Sequence, residues 1–183
     1  EDSGYPGTCR TRTLVSGPTS IRFRIDDEAT VRFQDRVQGP CVFPLKSMGD
    51  VIVRRRDGRF AYQLAVVVDD AHQGVTDVVR GADLLPSTAW QIALQTALGL
   101  PTPRYAHLPL AVEPDGSKLA KSKRSVPVDA RRASPLLWET LPLLRQEPPL
   151  ELAASAPRAI LDWAVANWNL EVLRGVETVS VPG

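Results

Sequence analysis

Thr76 to Leu108 reads as strand, helix, strand with little between them. Thr76-Asp77-Val78-Val79-Arg80-Gly81 is a short β-branched strand that stops at a glycine. Ala82 to Leu98 follows with Ile92, Leu94, Ala97 and Leu98 on one apolar face; Asp83 can cap it, Pro86 lies in its first turn and Gly99 ends it. Arg104-Tyr105-Ala106-His107-Leu108 is a second, buried strand, closed off by Pro109. A strand, helix and strand in this order predict a parallel sheet with a right-handed crossover. Ligands of such sheets bind beyond the carboxyl ends of the strands. Arg80 and the loop after Leu110 each follow such an end, so the two are expected to converge on one cleft.

That loop is Asp115-Gly116-Ser117-Lys118-Leu119-Ala120-Lys121-Ser122-Lys123-Arg124. Gly116 lets the backbone turn back on itself, and Lys118 and Lys121 can then reach one anion. An ammonium on a flexible stem is a point charge suited to phosphate. An isolated pair of this kind is more often a solvated basic surface, so the weight rests on where the loop sits in the strand order.

The 183 residues fit one domain, or one with an appendage. A formal net charge of +1 supplies no global field for nucleic acid, so RNA would have to be held by local patches. Two cysteines, Cys9 and Cys41, make no disulfide framework and favour a reducing, cytoplasmic setting. No apolar run approaches a membrane span.

Elsewhere the chain is read by alternation and turn chemistry. Ile21–Ile25 and Val31–Phe33 alternate, with Asp26-Asp27-Glu28 as a turn, and predict a β-hairpin. Asp50–Arg56 predicts a strand ending at an Asp57-Gly58 turn, with Arg54-Arg55-Arg56 on an exposed edge from which one arginine could reach RNA or an acidic partner. Phe60 to Asp70 is the most apolar run. Its length and β-branched content fit a buried strand, with a helix starting near Tyr62 as the rival. Asp69 and Asp70 read as caps or turn ligands before an acid–base pair. Asp129–Trp138 and Pro157–Trp168 predict two helices about a Pro-rich linker, Leu141–Leu150, with Trp138, Trp163 and Trp168 as packing residues and Val176–Gly183 as a frayed tail. His72 and His107 read as structural.

Three blocks carry a resemblance: "YPGTCR", "DGRFAYQLAVVVDDAHQGVTDVVRGADLL" and "ALGLPTPRYAHLPLAVEPDGSKLAKSK". The last is similar to the KLSKS region of class I aminoacyl-tRNA synthetases, in the glutamyl branch, with Ala120 where that family usually has Ser. "FAYQLAVVVDD" with the Tyr/Cys element resembles the glutamyl-Q tRNA(Asp) synthetases. The resemblance implies an α/β fold: the C-terminal portion of a Rossmann-type parallel sheet, with a β-rich, zinc-element region inserted and a small helical C-terminal appendage. It divides the chain into residues 1–60, a zinc-element remnant and β-rich insertion, 61–128, the second half of the catalytic domain with the lysine loop, and 129–183, the helical appendage. It favours the helix at Tyr62.

The implied reaction is ATP-dependent formation of glutamyl-adenylate, with magnesium, and transfer of the glutamyl group to queuosine in tRNA(Asp). By position, Tyr62 and Arg80 would bind glutamate; Lys118, Leu119, Ala120, Lys121 and Ser122 would bind ATP, with Lys121 catalytic. Tyr5 and Cys9 would be two zinc ligands, completed by an upstream Cys-x-Cys that this sequence lacks. A His-Ile-Gly-His-like motif is likewise absent, so the chain is expected to be the later part of such an enzyme, opening inside the zinc element and acting as a monomer. A fragment of a discriminating glutamyl-tRNA synthetase and a non-catalytic, RNA-binding synthetase-like module are the alternatives.

Overall fold

The computed structural model of the chain describes residues 5, 7–11, 17–113, 116–117 and 129–181. These fall into two compact units, Glu1–Asp35 with Pro40–Ala106, and Arg36–Gly39 with His107–Gly183. No helix among the described residues is long and apolar enough to cross a membrane.

The first unit holds a four-stranded sheet in the order β3-β2-β6-β5, made of β2 (Thr30–Asp35), β3 (Gly39–Pro44), β5 (Asp77–Gly81) and β6 (Arg104–Leu108). β2 and β6 run parallel, with Asp35 opposite Tyr105. β2 and β3 are joined by a turn too short for a crossover, which permits only an antiparallel pair. β5 and β6 are neighbours joined through α3 (Leu85–Leu98), so the predicted strand–helix–strand unit is present. Tyr105, Ala106 and His107 are buried in succession. That is how a strand covered on both faces reads.

Helix α3 is entered through a 3-10 turn, Ala82–Leu84, and its N-cap Leu84 offers no side-chain bond. Asp83 therefore lies inside the turn instead of capping the helix. Gly99 ends α3 at φ 66°, and its N–H satisfies the carbonyls of Gln95 and Thr96.

The apolar run after Phe60 is helical: α2 spans Tyr62–Gln73, as the family resemblance favoured over the strand reading. Val67 is its buried residue, packed with Val51 and Leu94 and flanked by Val66, Trp90 and Leu100. Asp69 and Asp70 lie within the helix body and cap neither end.

β1 (Ile21–Phe23) does not form the predicted hairpin with β2. It pairs antiparallel with β4 (Val51–Arg54), with a bulge between Ile21 and Arg22. The reason is the buried Asp50. Its carboxylate accepts the Ile25 N–H at 2.8 Å and the Arg10 guanidinium at 2.9 and 2.5 Å, tying the end of β1 to the start of β4. Arg10 also bonds Asp27 and the Ile25 carbonyl, both at 3.0 Å. Ile25 is thereby seated in a core with Val31, Leu45 and Ala89, fringed by Phe23, Phe33, Phe43 and Trp90.

Arg10 holds the Asp50 carboxyl below its ordinary range, chiefly by hydrogen bonding. A carboxyl depressed in the folded state stabilises the fold above its unfolded value, near pH 3.9, and loses that contribution as pH falls through the depressed folded value. Asp50→Ala should lower the unfolding free energy by about 1.5–3 kcal/mol at neutral pH, since a charge-assisted acceptor is removed from buried donors. Asp50→Asn should flatten the stability profile below the ordinary carboxylate value, as pH falls through the depressed folded value. Chemical denaturation across that window is the measurement; an unchanged wild-type slope in the Asn variant would exclude Asp50 as the acid-labile contact.

The second unit contains β7 (Leu110–Val112), α4 (Ala133–Leu143), α5 (Pro157–Asn167) and β8 (Thr178–Ser180), with Leu141, Ile160 and Leu173 buried. Three features depart from expectation. α4 extends into the Pro-rich stretch and carries Pro142 inside its last turn. Trp168 is 40% exposed, whereas Trp138 and Trp163 are half-buried. Thr178–Ser180 is a strand in parallel register with β7, where a frayed tail was expected. Gln38 anchors this segment by donating to the carbonyls of His107 and Val176, both at 2.9 Å. His107 is fully buried and His72 exposed on the last turn of α2.

Candidate functional site

Arg80 is the penultimate residue of β5, at the carboxyl end where ligands of parallel sheets bind. Its Nη2 donates to Thr88 Oγ1 at 2.7 Å and to Gln91 Oε1 at 2.8 Å. Thr88 and Gln91 are both buried on α3, one turn apart. The guanidinium carbon lies 5.4 Å from the centre of the Tyr105 ring. That ring is held in place in turn, because Gln95 Nε2 donates to the Tyr105 hydroxyl at 3.0 Å. Burial pushes the Tyr105 phenol above its ordinary value, so it stays neutral beneath the cation.

The network continues toward α2. Gln91 Nε2 donates to Gln63 Oε1 at 2.7 Å, and Gln63 Nε2 donates to Ser87 Oγ at 3.2 Å. Gln63 immediately follows Tyr62, the first residue of α2, whose side chain is 55% exposed. The two residues assigned to glutamate are thus linked through neighbours: Tyr62 opens the helix whose Gln63 reaches Arg80 through Gln91. Sequence reading missed Thr88, Gln91 and Gln63. Their signal was amide and hydroxyl side chains on helix faces that otherwise bury apolar residues.

Lys118, Leu119, Ala120, Lys121 and Ser122, the ATP-binding assignment, lie outside the described residues. The turn before them is described: Glu113 N–H bonds the Ser117 carbonyl at 2.8 Å and Gly116 N–H bonds the Glu113 carbonyl at 2.8 Å, with Gly116 at φ 79°. A left-handed residue is needed there, and Gly adopts that conformation without strain.

The zinc assignment rests on Tyr5 and Cys9, two of the four donors that a structural site needs. Tyr5 and Cys9 are adjacent, with the Cys9 N–H on the Tyr5 hydroxyl at 2.6 Å. No group of three potential ligands occurs among the described residues. The Arg22 guanidinium lies 4.1 Å from the Tyr5 ring centre, so the ring packs as a cation–π partner. Purified 183-residue chain should carry far less than one zinc per molecule, because two donors do not close a tetrahedral site. Metal analysis after dialysis against a weak chelator checks this, and one retained zinc per chain would refute it.

Comparison with known proteins places this geometry. A family model described as "tRNA synthetases class I (E and Q), catalytic domain" matches residues 7–143. The glutamyl-Q tRNA(Asp) synthetase of Ectopseudomonas mendocina is 55% identical over 166 residues, covering 90% of this chain and 56% of the relative. That of Pseudomonas syringae pv. syringae is 48% identical over 181 residues, covering 97% and 61%. The chain therefore spans a little over half the length of these relatives. Among solved structures, a glutamate tRNA ligase from Elizabethkingia meningosepticum, crystallised with its amino acid, superposes with a TM-score of 0.68 at 22% identity. That match covers 90% of this chain and 36% of the ligase. With a sheet of the matching fold, a family match across most of its length and relatives near half identity, the chain belongs to the class I tRNA synthetase (E and Q) catalytic-domain family.

Proposed function

We propose that this chain is part of an enzyme that activates glutamate with ATP and transfers the glutamyl group to queuosine in tRNA(Asp). In the first step a glutamate carboxylate oxygen attacks the α-phosphorus of ATP, forming glutamyl-adenylate as pyrophosphate leaves. In the second, a hydroxyl of the acceptor base attacks the acyl carbon, losing its proton, and AMP departs. The observation that carries the reading is the fixed Arg80 fork. Thr88 and Gln91 set its orientation through Nη2 before any ligand arrives, and a planar guanidinium matches a carboxylate.

Tyr62 would contribute its hydroxyl to the same amino acid. Lys118 and Lys121, with the backbone of Leu119, Ala120 and Ser122, would take the ATP phosphates. Magnesium would enter with those phosphates and shield their charge; the described residues hold no ligand cluster that would bind it alone. The names of the relatives support glutamate and tRNA(Asp) as substrates.

The test uses the intact protein. Glutamate-dependent exchange of pyrophosphate into ATP should appear, with aspartate and glutamine inactive, and labelled glutamate should enter queuosine-containing tRNA(Asp) but not the same tRNA lacking queuosine. Exchange without transfer to either tRNA would leave activation and remove the assigned acceptor. Transfer to tRNA(Glu) would replace it with ordinary glutamyl-tRNA synthesis.

A further inference from the structure

The turn after β4 gathers four exposed arginines, Arg54, Arg55, Arg56 and Arg59, around one acid, Asp57. Two of them build the turn. Arg54 Nε donates to the Gly58 carbonyl at 3.1 Å, and Arg55 Nη2 pairs with Asp57 at 3.1 Å. The backbone closes with the Arg55 N–H on the Arg59 carbonyl at 2.8 Å, and Gly58 takes φ 81°. Arg56 and Arg59 have no side-chain partner among the described residues.

Two aromatic residues follow at once. Phe60 is 69% exposed although its backbone is bridged to Arg54, and Tyr62 is 55% exposed. Ala61 N–H bonds the Val53 carbonyl at 2.9 Å, which fixes the turn directly ahead of α2. A solvated tip would account for the arginines alone. It leaves Phe60, bridged to Arg54 through its backbone yet water-exposed in its side chain, without a role. Cations that track phosphates, interleaved with rings that take base faces, are the equipment of single-stranded nucleic-acid binding. The chain as a whole carries only +1, so phosphate contacts have to come from local patches, and this turn sets four arginines against one acid.

We infer that residues 54–60 are an RNA-docking turn: Arg56 and Arg59 hold backbone phosphates of an unpaired segment, and Phe60 stacks on one of its bases. This rests on the RNA-acceptor reading above. An acceptor base can reach an acyl donor only when it is unpaired, so the enzyme has to grip single-stranded RNA close to the amino acid. The turn ends two residues before Tyr62, the proposed glutamate contact.

The experiment measures binding of the intact protein to queuosine-containing tRNA(Asp) and to a blunt RNA duplex, from 50 to 300 mM salt, alongside glutamate-dependent pyrophosphate exchange. Arg56→Ala/Arg59→Ala should flatten the plot of log affinity against log salt by about 1.4, near 0.7 per single-strand phosphate released. Arg56→Lys/Arg59→Lys should keep the slope. Phe60→Leu, which retains apolar bulk, should weaken tRNA binding about fivefold or more and leave the duplex untouched. All three variants should exchange pyrophosphate like wild type. Normal exchange with an unchanged salt slope would overturn the docking turn and leave glutamate activation standing. A flattened slope with Phe60→Leu neutral would also overturn it, marking a general polyanion patch. Wild-type protein that binds tRNA through these residues but exchanges no pyrophosphate would refute the activation reading and keep the turn.

Discussion

Lys121→Ala in the intact enzyme should slow glutamyl-adenylate formation by roughly a hundred- to a thousandfold, the cost of about 2.7–4 kcal/mol typical of losing one preorganised charge contact at a transition state. The Gly116-Ser117 turn follows β7, and Lys118 and Lys121 come directly after it in the sequence. Negative charge accumulates on the departing pyrophosphate only as the α-phosphorus is attacked. A lysine that closes on it then acts more on the transition state than on bound ATP. ATP affinity measured without turnover should therefore change much less than the rate. Ala120→Ser should have a far smaller effect, since it restores one hydroxyl and no charge. Rapid-quench measurement of the first turnover separates these outcomes. An unaltered rate in Lys121→Ala would reduce the loop to a solvated basic surface.

Arg80→Lys should lower activation efficiency with glutamate by roughly one to two orders of magnitude, with the KM for ATP nearly constant. One good charge-assisted bond contributes about 1.5–3 kcal/mol, and an ammonium cannot reproduce the fork. The structure sharpens this expectation. The guanidinium is shared between Thr88, Gln91 and the Tyr105 ring, and a lysine there cannot meet all three in one pose. Gln91→Glu provides an independent check. It keeps the size of the side chain but sets a carboxylate 2.8 Å from Arg80, where it would compete with the ligand's own carboxylate. The KM for glutamate should rise while kcat falls less. Steady-state constants for glutamate that match wild type in both variants would take Arg80 out of the site.

Much of the catalytic half was legible from residues alone because its signals are local. A β-branched segment ending at Gly81, a helix closed by Gly99 and a buried strand closed by Pro109 predict the crossover unit. Arg80 falls at its carboxyl edge by sequence position alone. Residues 62–73 were ambiguous for an equally local reason. Val66, Val67 and Val68 favour a strand by shape, whereas the segment is a helix that buries Val67 against Val51 and Leu94.

Pairing was the part that sequence could not supply. Alternation in Ile21–Ile25 and Val31–Phe33 said that both were strands, but not that Asp50 would draw the first one to β4. Thr178–Ser180 is too short to register as a strand until β7 offers it an edge. The same holds for the site. Arg80 was readable as a cation at a strand end, whereas Thr88, Gln91, Gln63 and Tyr105 became its supports only when α2, α3 and β6 were packed around β5. Propensity, periodicity and turn chemistry act over a few residues and are written along the chain. Register, burial and the aim of a guanidinium depend on groups many residues apart, and the energy that selects them exists only once those groups are in contact.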